Sequence, residues 1–353
     1  MESGAEKLSW GIITAGKIAR KFTRGVLNSR TGRIAAVGSR SLERAQCFAR
    51  EFGIPGYYDS YQAVIEDPEV DVLYVATPHP MHAEWAIRAA QAGKHVLCEK
   101  PIGMNSHEAA SIVDAARAGG VFLMEAFMYR CHPQTRKLVE LVKSGAIGEL
   151  KAIRATFSYH GAYELEGLKL NKKLGGGAIL DVGCYPVSIS RLIAGAALGR
   201  DFEEPVEVQG VAHIGKQSGV DEYATATLRF PGDILAQLAT GVQLEQDNTV
   251  LIFGSEGRIE VLSPWFCSGI EGGTSKVLIH RKGAEKVETV EISTAEWLYS
   301  IEADTVAKNL DSHQAPPPAM SWQDTLGNMQ TLDRWRAAVG LEYDADKGSQ
   351  APA

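Results

Sequence analysis

The feature that most constrains this chain is the regular alternation of short apolar runs with helix-like segments between residues 8 and 126. Residues 8–14 and 70–76 are nearly continuous in apolar side chains, as are strands that are covered on both faces. Residues 42–52 instead place their apolar side chains on one face of a helix. This alternation predicts βαβ units and a parallel sheet, in which ligands bind at the carboxyl ends of the strands.

After about residue 127 the pattern changes to consecutive strand-like runs with few helices between them. Such runs predict an antiparallel or mixed sheet that is open on one face. The fold class is therefore α/β, with an N-terminal Rossmann parallel sheet and a C-terminal α/β domain that holds a large open, mostly antiparallel sheet. The expected divisions are a Rossmann domain at 1–127, a substrate and dimerisation domain at 128–320, a C-terminal helix at 321–340 and a frayed tail at 341–353.

Composition and charge exclude several classes of protein. The 353 residues carry 36 Lys and Arg against 43 Asp and Glu without a long basic block, which argues against nucleic acid as a partner. No secretory signal opens the chain, and no apolar run approaches the roughly 18 residues that cross a bilayer. The five scattered cysteines form no CxxC pair and suit a reducing compartment. We expect a soluble, cytoplasmic protein without a membrane partner.

A glycine turn follows the first predicted strand. Glycine at such a turn lets a dinucleotide pyrophosphate approach the amides at a helix N-terminus. The match to G-x-G-x-x-G is imperfect, since Ile13 and Thr14 occupy the middle positions, and a glycine turn is common in any α/β protein. The candidate cofactor-binding residues of this segment are Gly11, Thr14, Ala15, Gly16, Lys17 and Ile18.

The end of the second predicted strand bears on which cofactor is bound. NAD-binding chains usually place an acidic residue there for the ribose 2′-hydroxyl. Here the strand ends in Ser39 and Arg40, and Arg44 follows one turn later. A hydroxyl and guanidinium groups suit a 2′-phosphate, so NADP is predicted in preference to NAD. The alternative is that both arginines are solvated surface charges.

Three further motifs follow in a specific order: TPHPMH at 77–82, EKP at 99–101 and GGG-x-x-x-DVGCY at 175–185. Together they resemble the Gfo/Idh/MocA family of nicotinamide-dependent oxidoreductases over essentially the whole chain. Thr14, the arginine-bearing second strand, the MEA block at 124–126 and Tyr185 are similar to the branch that contains dimeric dihydrodiol dehydrogenase and NADP-dependent D-xylose 1-dehydrogenase. The resemblance implies hydride transfer between NADP and a hydroxyl-bearing carbon of a sugar, polyol or vicinal diol.

The resemblance also implies where the first two motifs lie. It places Thr77, Pro78, His79 and His82 beside the nicotinamide ribose, with Glu99 at the border of the same pocket. The two histidines also invite a metal interpretation, but no third ligand follows at a suitable spacing. No metal is therefore expected.

The candidate catalytic residues are Lys100, Asp181 and Tyr185. Asp181 and Tyr185 are four residues apart in a predicted helix and share one face, and Lys100 ends a predicted strand. We hypothesise that Tyr185 accepts the alcohol proton while Lys100 lowers its pKa and holds the substrate oxygen. Asp181 would position Lys100 or a substrate hydroxyl. The family does not assign proton transfer uniformly among these positions, so that assignment stays open.

The remaining substrate contacts are less specific. Arg130 would orient a hydroxyl-rich ligand or tie the two domains together, and Tyr159 and Trp265 would stack on a sugar or arene, or lie in the core. Met128 stands where the dihydrodiol dehydrogenase branch has tryptophan, which weakens a transfer of its aromatic diol specificity.

Two other functions stay open at this point: a cofactor-binding regulator without turnover and an NAD-dependent glycosidase of the same fold. The retained Lys100, Asp181 and Tyr185 argue against the regulator, and the arginines of the second strand against the glycosidase. The open sheet needs a cover for its apolar residues, so a homodimer is predicted.

Overall fold

The structure, a computed structural model, describes residues 7–347. The strands of its first sheet are Leu8–Ile13 (β1), Gly32–Gly38 (β2), Gly56–Tyr58 (β3), Val72–Val75 (β4), His95–Glu99 (β5) and Leu123–Ala126 (β6). They lie in the order β3-β2-β1-β4-β5-β6, and every neighbouring pair is parallel. The predicted Rossmann sheet is confirmed. Because strand order reverses beside β1, a crevice is expected at the carboxyl end of that strand.

Helices connect these strands on both faces of the sheet. They are Lys17–Leu27 (α1), Leu42–Phe52 (α2), Tyr61–Glu66 (α3), His82–Gln91 (α4) and Ser106–Gly119 (α5). The sequence interpretation missed β3 and α3, since elements of three and six residues are too short to show a period.

The second sheet has eight strands. They are Leu150–Ser158 (β7), Glu207–Ile214 (β8), Asp221–Phe230 (β9), Ile234–Gly241 (β10), Val250–Gly254 (β11), Gly257–Val261 (β12), Gly273–Arg281 (β13) and Glu288–Thr294 (β14). Their order is β14-β13-β12-β11-β7-β10-β9-β8, and among the described strands of this second sheet only β7 and β10 pair in parallel. The predicted open, mostly antiparallel sheet is confirmed.

The helices of the second half are Met128–Cys131 (α6), Pro133–Lys143 (α7), Cys184–Ala197 (α8), Leu298–Lys308 (α9), Trp322–Ala338 (α10) and Asp344–Lys347 (α11). Both α8 and α10 pack on one face of the second sheet. Along β9 the side chains alternate strictly, with Ala224, Ala226 and Leu228 buried and Thr225 and Thr227 exposed on the other face. The interpretation missed α9, because a helix that is buried on most sides shows no amphipathic period.

One helical stretch, Lys172–Ala197, is long and apolar enough by length and composition to cross a membrane, although no such run was expected. Within its most apolar window, however, 94% of the residues are buried inside the protein. That burial is what the core helix of a folded domain shows. The stretch includes a π-helical turn, Ile179–Gly183, that leads directly into α8.

The tail predicted to fray from residue 341 is ordered as far as it is described. Tyr343 is buried, and the main chain at 344–347 forms α11. The Asp346 carboxylate accepts hydrogen bonds from Arg336 and Asn105, and these long-range partners hold the segment in place. The expectation of fraying is therefore wrong for these residues, and 348–353 lie outside the described part of the chain.

Candidate active site

A cavity of about 1000 Å³ lies at the carboxyl ends of β1, β2, β4 and β5, and the loop after β7 and the start of α8 close its other side. Most of the predicted site residues line it. They are Thr14, Ala15, Gly16, Ile18, Ser39, Arg40, Arg44, Thr77, Pro78, His79, His82, Glu99, Lys100, Tyr159, Asp181 and Tyr185. Gly11, Lys17, Arg130 and Trp265 do not line it.

The N-terminus of α1 forms one end of the cavity. Gly16 is the residue that caps this helix, and it offers no side chain to the first amides. A β-carbon at Gly16 would meet only the Thr14 hydroxyl, at 3.7 Å, so the space above these amides is open. Thr14 has a φ of 88°, a region that favours glycine, and its hydroxyl donates to the Ala76 carbonyl at 3.0 Å. Open space and unpaired amides together form a place for an anion.

Gly11 and Lys17 were predicted to bind the cofactor, and neither lines the cavity. A β-carbon at Gly11 would come within 2.8 Å of Leu73 and Val64, so the glycine is required by packing inside the sheet. Lys17 is exposed on α1, and it is not among the residues that line the cavity.

The end of β2 forms the basic part of the cavity. Ser39, Arg40 and Arg44 line it, together with Lys21 and Tyr61, which sequence reasoning missed. Burial raises the pKa of Tyr61, and the charges of Arg40 and Arg44 oppose that rise, so both guanidinium groups lie near its hydroxyl. Within residues 7–347, no carboxylate lies within 4 Å of either arginine.

The centre of the cavity brings the three candidate catalytic residues together. The Lys100 ammonium donates to the main-chain oxygen of Asp181 at 2.6 Å and lies 3.6 Å from its carboxylate oxygen Oδ1. The same ammonium is 5.2 Å from the centroid of the Tyr185 ring. Residues 81 or more positions apart in the chain therefore meet where β5 ends and α8 begins.

The expected effect of Lys100 on Tyr185 is not found. The ammonium lies over the ring face, while the phenol oxygen is directed at the Met128 sulfur, 3.6 Å away. Burial raises the pKa of Tyr185 well above its ordinary value of 10, so the hypothesis of a lowered pKa is wrong. Sequence spacing predicted the shared helix face but not the direction of the hydroxyl.

Asp181 and Lys100 stabilise each other's charge. Burial by itself would raise the pKa of Asp181, but Lys100 and Lys169 outweigh it and hold that pKa well below its usual range. Burial likewise opposes the charge on Lys100, and Asp181 raises its pKa above 10.5 all the same. At neutral pH the site therefore contains a carboxylate and an ammonium.

A second lysine, Lys169, was missed by sequence reasoning. Its ammonium donates to the Tyr159 hydroxyl and lies 3.3 Å from Asp181 Oδ2, and the Tyr159 hydroxyl donates to that same oxygen. The only available signal was its place in a lysine-containing segment directly before the triple glycine at 175–177.

The two histidines hold loops in position. The ring nitrogens of His82 each lie 2.8 Å from a carbonyl oxygen, those of Thr77 and Pro101, and His79 contacts the Gly175 carbonyl at 3.1 Å. Burial lowers the pKa of His82 to about 3 and that of His79 to about 4, so both rings are neutral. In residues 7–347 no group of three His, Cys, Asp or Glu side chains is placed to hold a metal ion.

Glu99, the next residue along from Lys100, also lines the cavity. It accepts a hydrogen bond from the buried Tyr74 hydroxyl, and burial raises its pKa. The buried Tyr74, which lies beneath the cavity floor, therefore fixes the Glu99 side chain at the end of β5.

Arg130 and Trp265 were predicted to contact substrate, and neither reaches the cavity. The Arg130 guanidinium is fully buried and donates to Asp324, the Pro318 carbonyl and Ser188, so it ties α6 to the C-terminal helix α10. Trp265 is 1% exposed and donates to the Thr156 carbonyl behind the cavity wall. Its neighbours Phe157 and Phe266 line the cavity instead.

Comparison with known proteins agrees with this geometry. Residues 8–127 match the model of an oxidoreductase family with an NAD-binding Rossmann fold, and residues 135–260 match the GFO/IDH/MocA C-terminal domain. The chain belongs to the Gfo/Idh/MocA oxidoreductase family. It is an NAD(P)-dependent oxidoreductase, as the resemblance of its motifs implied.

The relatives of this chain include curated proteins and proteins of solved structure. The chain is 39% identical, over 74% of its length and 76% of the relative's, to trans-1,2-dihydrobenzene-1,2-diol dehydrogenase of Danio rerio. It is 33% identical, over 96% and 97% of the two chains, to an uncharacterised oxidoreductase of Rhizobium meliloti. Among solved structures, it matches KijD10, a 3-ketoreductase from Actinomadura kijaniata in complex with NADP and TDP-benzene. That match has a TM-score of 0.84 and 27% identity, and it covers 95% of this chain and 98% of that one.

Proposed function

We propose that this protein transfers a hydride between NADP and a hydroxyl-bearing carbon of a sugar, polyol or vicinal diol. The observation that carries the proposal is the Lys100 ammonium, held beside Asp181 in the same cavity as the open N-terminus of α1. This arrangement supports the proposal because open helix amides and a charged ammonium share a single crevice. D-Xylose 1-dehydrogenase and trans-dihydrodiol dehydrogenase are the family activities that it resembles.

Two observations support NADP as the cofactor. The amides of α1 and the space above Gly16 suit a pyrophosphate, and Arg40 and Arg44 lie in the same cavity without a carboxylate partner in the described chain. Guanidinium groups bind phosphate through directed, charge-assisted hydrogen bonds, which suits a 2′-phosphate. KijD10, the solved relative, was crystallised with NADP.

A nicotinamide, when bound here, would accept or supply the hydride. Lys100 would hold the substrate oxygen and give it a proton in the direction of reduction, because the ammonium is charged at neutral pH. Asp181 would keep that ammonium charged and in place, and it stays ionised itself. The Tyr185 ring would pack against the Lys100 ammonium and so close that side of the cavity.

The test is a screen of aldoses, polyols and vicinal diols with NAD⁺ and NADP⁺, followed by the absorbance of the reduced nicotinamide. We expect stoichiometric reduction of NADP⁺ with at least one sugar or diol. Cofactor binding without turnover of any compound would indicate a regulator. Cleavage of an aryl glycoside without net change in the cofactor would indicate a glycosidase.

We also propose a homodimer built on the open face of the second sheet. Val211, Tyr223 and Leu235 are exposed apolar side chains on its strands β8, β9 and β10. A second copy of the chain would cover them. Sedimentation velocity should give a species of twice the mass of 38.1 kDa, and a stable monomer at micromolar concentration would contradict this proposal.

The proposed location is the cytoplasm. All five cysteines are free, and four of them are buried. Free thiols suit a reducing compartment, and fractionation of the native cells with a thiol-trapping reagent would test the location.

A further inference from the structure

The segment that follows β7 carries a second ammonium to the mouth of the cavity. Lys169 is 48% exposed in its side chain, whereas the Lys100 side chain is 14% exposed and lies deeper. The two ammonium groups lie on different oxygens of the Asp181 carboxylate, Lys100 near Oδ1 and Lys169 near Oδ2. The Asp181 carboxylate therefore holds two ammonium groups at two different depths in the cavity.

Tyr159 holds Lys169 in this position. The lysine ammonium donates to the Tyr159 hydroxyl and lies 3.7 Å from the centroid of the tyrosine ring. The hydroxyl in turn donates to Asp181. Because a phenylalanine at 159 would offer no hydroxyl to either group, the position of Lys169 depends on the phenol oxygen.

Each ammonium retains a donor for a ligand. An ammonium has three N–H groups. Lys169 directs one at Tyr159 and one at Asp181, and Lys100 directs its own at the main-chain oxygen and the carboxylate of Asp181. One donor on each lysine is therefore left over from these contacts, and both side chains line the cavity.

Part of the cavity lining is apolar. Phe157, Phe266 and Leu168 line it, and Phe266 and Leu168 are 40% and 57% exposed at its mouth. Aromatic and aliphatic surface suits the C–H face of a sugar ring, while its hydroxyls require hydrogen-bond donors on the other side. The cavity thus offers one donor to a reacting oxygen and another to an oxygen farther out.

We propose that Lys169, positioned by Tyr159, binds a second hydroxyl of the substrate and makes this site selective for a polyhydroxylated sugar ring over a simple diol. The inference rests on the proposed function, since it names the substrate class of the same site. Lys169 is a specificity-determining residue here, and Tyr159 is the positioning residue that acts through it.

The experiment compares two substrates that differ in their outer hydroxyls: D-xylose, and trans-1,2-cyclohexanediol, which has only two hydroxyls. For Lys169→Met we expect kcat/KM for D-xylose to fall about 10- to 100-fold, mainly through KM, because a hydrogen bond to a charged group is lost. The value for the cyclohexanediol should change less than about twofold. Tyr159→Phe should give the same pattern with a smaller loss, and Lys169→Arg should retain much of the selectivity for D-xylose.

Lys172→Met is the matched control, because Lys172 is an exposed lysine of the same segment that does not line the cavity. This variant should leave kcat/KM unchanged for both D-xylose and the cyclohexanediol. An equal loss for D-xylose and the diol in Lys169→Met would overturn the inference, since Lys169 would then act only on Asp181, while the proposed function would stand.

Calorimetric titration of D-xylose into the NADP-loaded protein separates the inference from the proposed function. Binding of D-xylose that Lys169→Met weakens, in a wild type that turns over none of the aldoses, polyols and diols, would contradict the proposed function and support the role of Lys169. A wild type that turns over diols but neither binds nor oxidises D-xylose and other aldoses would overturn the inference alone.

Discussion

Two regions of this molecule place one aspartate between two cations, with opposite consequences. In the cavity, Asp181 lies between Lys100 and Lys169, and the three side chains are 19%, 14% and 48% exposed. In the interior, Asp324 lies between Arg130 and Arg191, and these side chains are 2%, 0% and 0% exposed.

The difference lies in the type of cation and in what remains unpaired. The buried arginines direct their planar groups at several fixed acceptors, which include Ser188, the Pro318 carbonyl and Glu204. The lysines of the cavity are point charges with three donors, and they retain some of these for a ligand. The same pattern of charges thus stabilises the fold where it is sealed and, in the function that we propose, supports chemistry where it is open.

The largest expected effect is on turnover, from Lys100→Met. Removing the ammonium should lower turnover by about 10²–10⁴-fold, because the developing alkoxide loses its proton donor and its counter-charge. The melting temperature and the affinity for NADP should change little. Turnover within tenfold of wild type would show that the cavity cluster is structural, like the buried one.

The next effect is on stability, from Arg130→Met. The change leaves Asp324 with one of its two buried cations, so the free energy of unfolding should fall by about 3–5 kcal/mol. Urea denaturation measures this loss. Activity per folded molecule should stay near that of wild type at low temperature, whereas a specific loss of turnover with intact stability would restore the substrate-binding interpretation of Arg130.

Arg40 and Arg44 provide a third case, a pair of arginines in the open cavity without an aspartate between them. In Arg40→Ala, kcat/KM for NADP should fall about 10- to 100-fold with little change for NAD, because a charge-assisted bond to the 2′-phosphate is lost. Arg33→Ala, at an exposed arginine away from this cavity, is the control. An equal loss with both cofactors would contradict a 2′-phosphate contact.

The last expected effect concerns Glu125, a buried carboxylate without a cation within 4 Å in the described structure. Burial raises its pKa from 4.5 to about 8, so between these values the folded state binds more protons than the unfolded state. Its stabilising contribution is complete below about pH 4.5 and is lost as the pH rises towards 8.

Glu125→Gln should therefore remove about 3 kcal/mol of the decline in stability between pH 5 and pH 8. Chemical denaturation at several pH values, on this variant and on the exposed-site control Glu43→Gln, measures the difference. Parallel pH profiles for wild type and Glu125→Gln would show that the carboxyl group is ionised in the folded protein.

Short-range patterns account for the parts of the site that were predicted. Gly16 follows a strand and opens a helix, Arg40 ends a strand, and Asp181 and Tyr185 are one helical turn apart, so local sequence places each of them. Lys169 lies in a segment without a period, and its partners Tyr159 and Asp181 are 10 and 12 residues away. No local rule brings such a segment over a cavity.

The sequence by itself determined the two sheets, the strand ends that line one side of the cavity, and the family. These features depend on residue spacing along one element, which the backbone geometry of strands and helices fixes. Only the tertiary structure decided that the Tyr185 hydroxyl faces Met128, that Arg130 is sealed against Asp324 and that Lys169 shares Asp181 with Lys100. The physical reason is that side-chain direction and ion pairing depend on packing between segments far apart in the chain, and such packing leaves no periodic trace in the sequence.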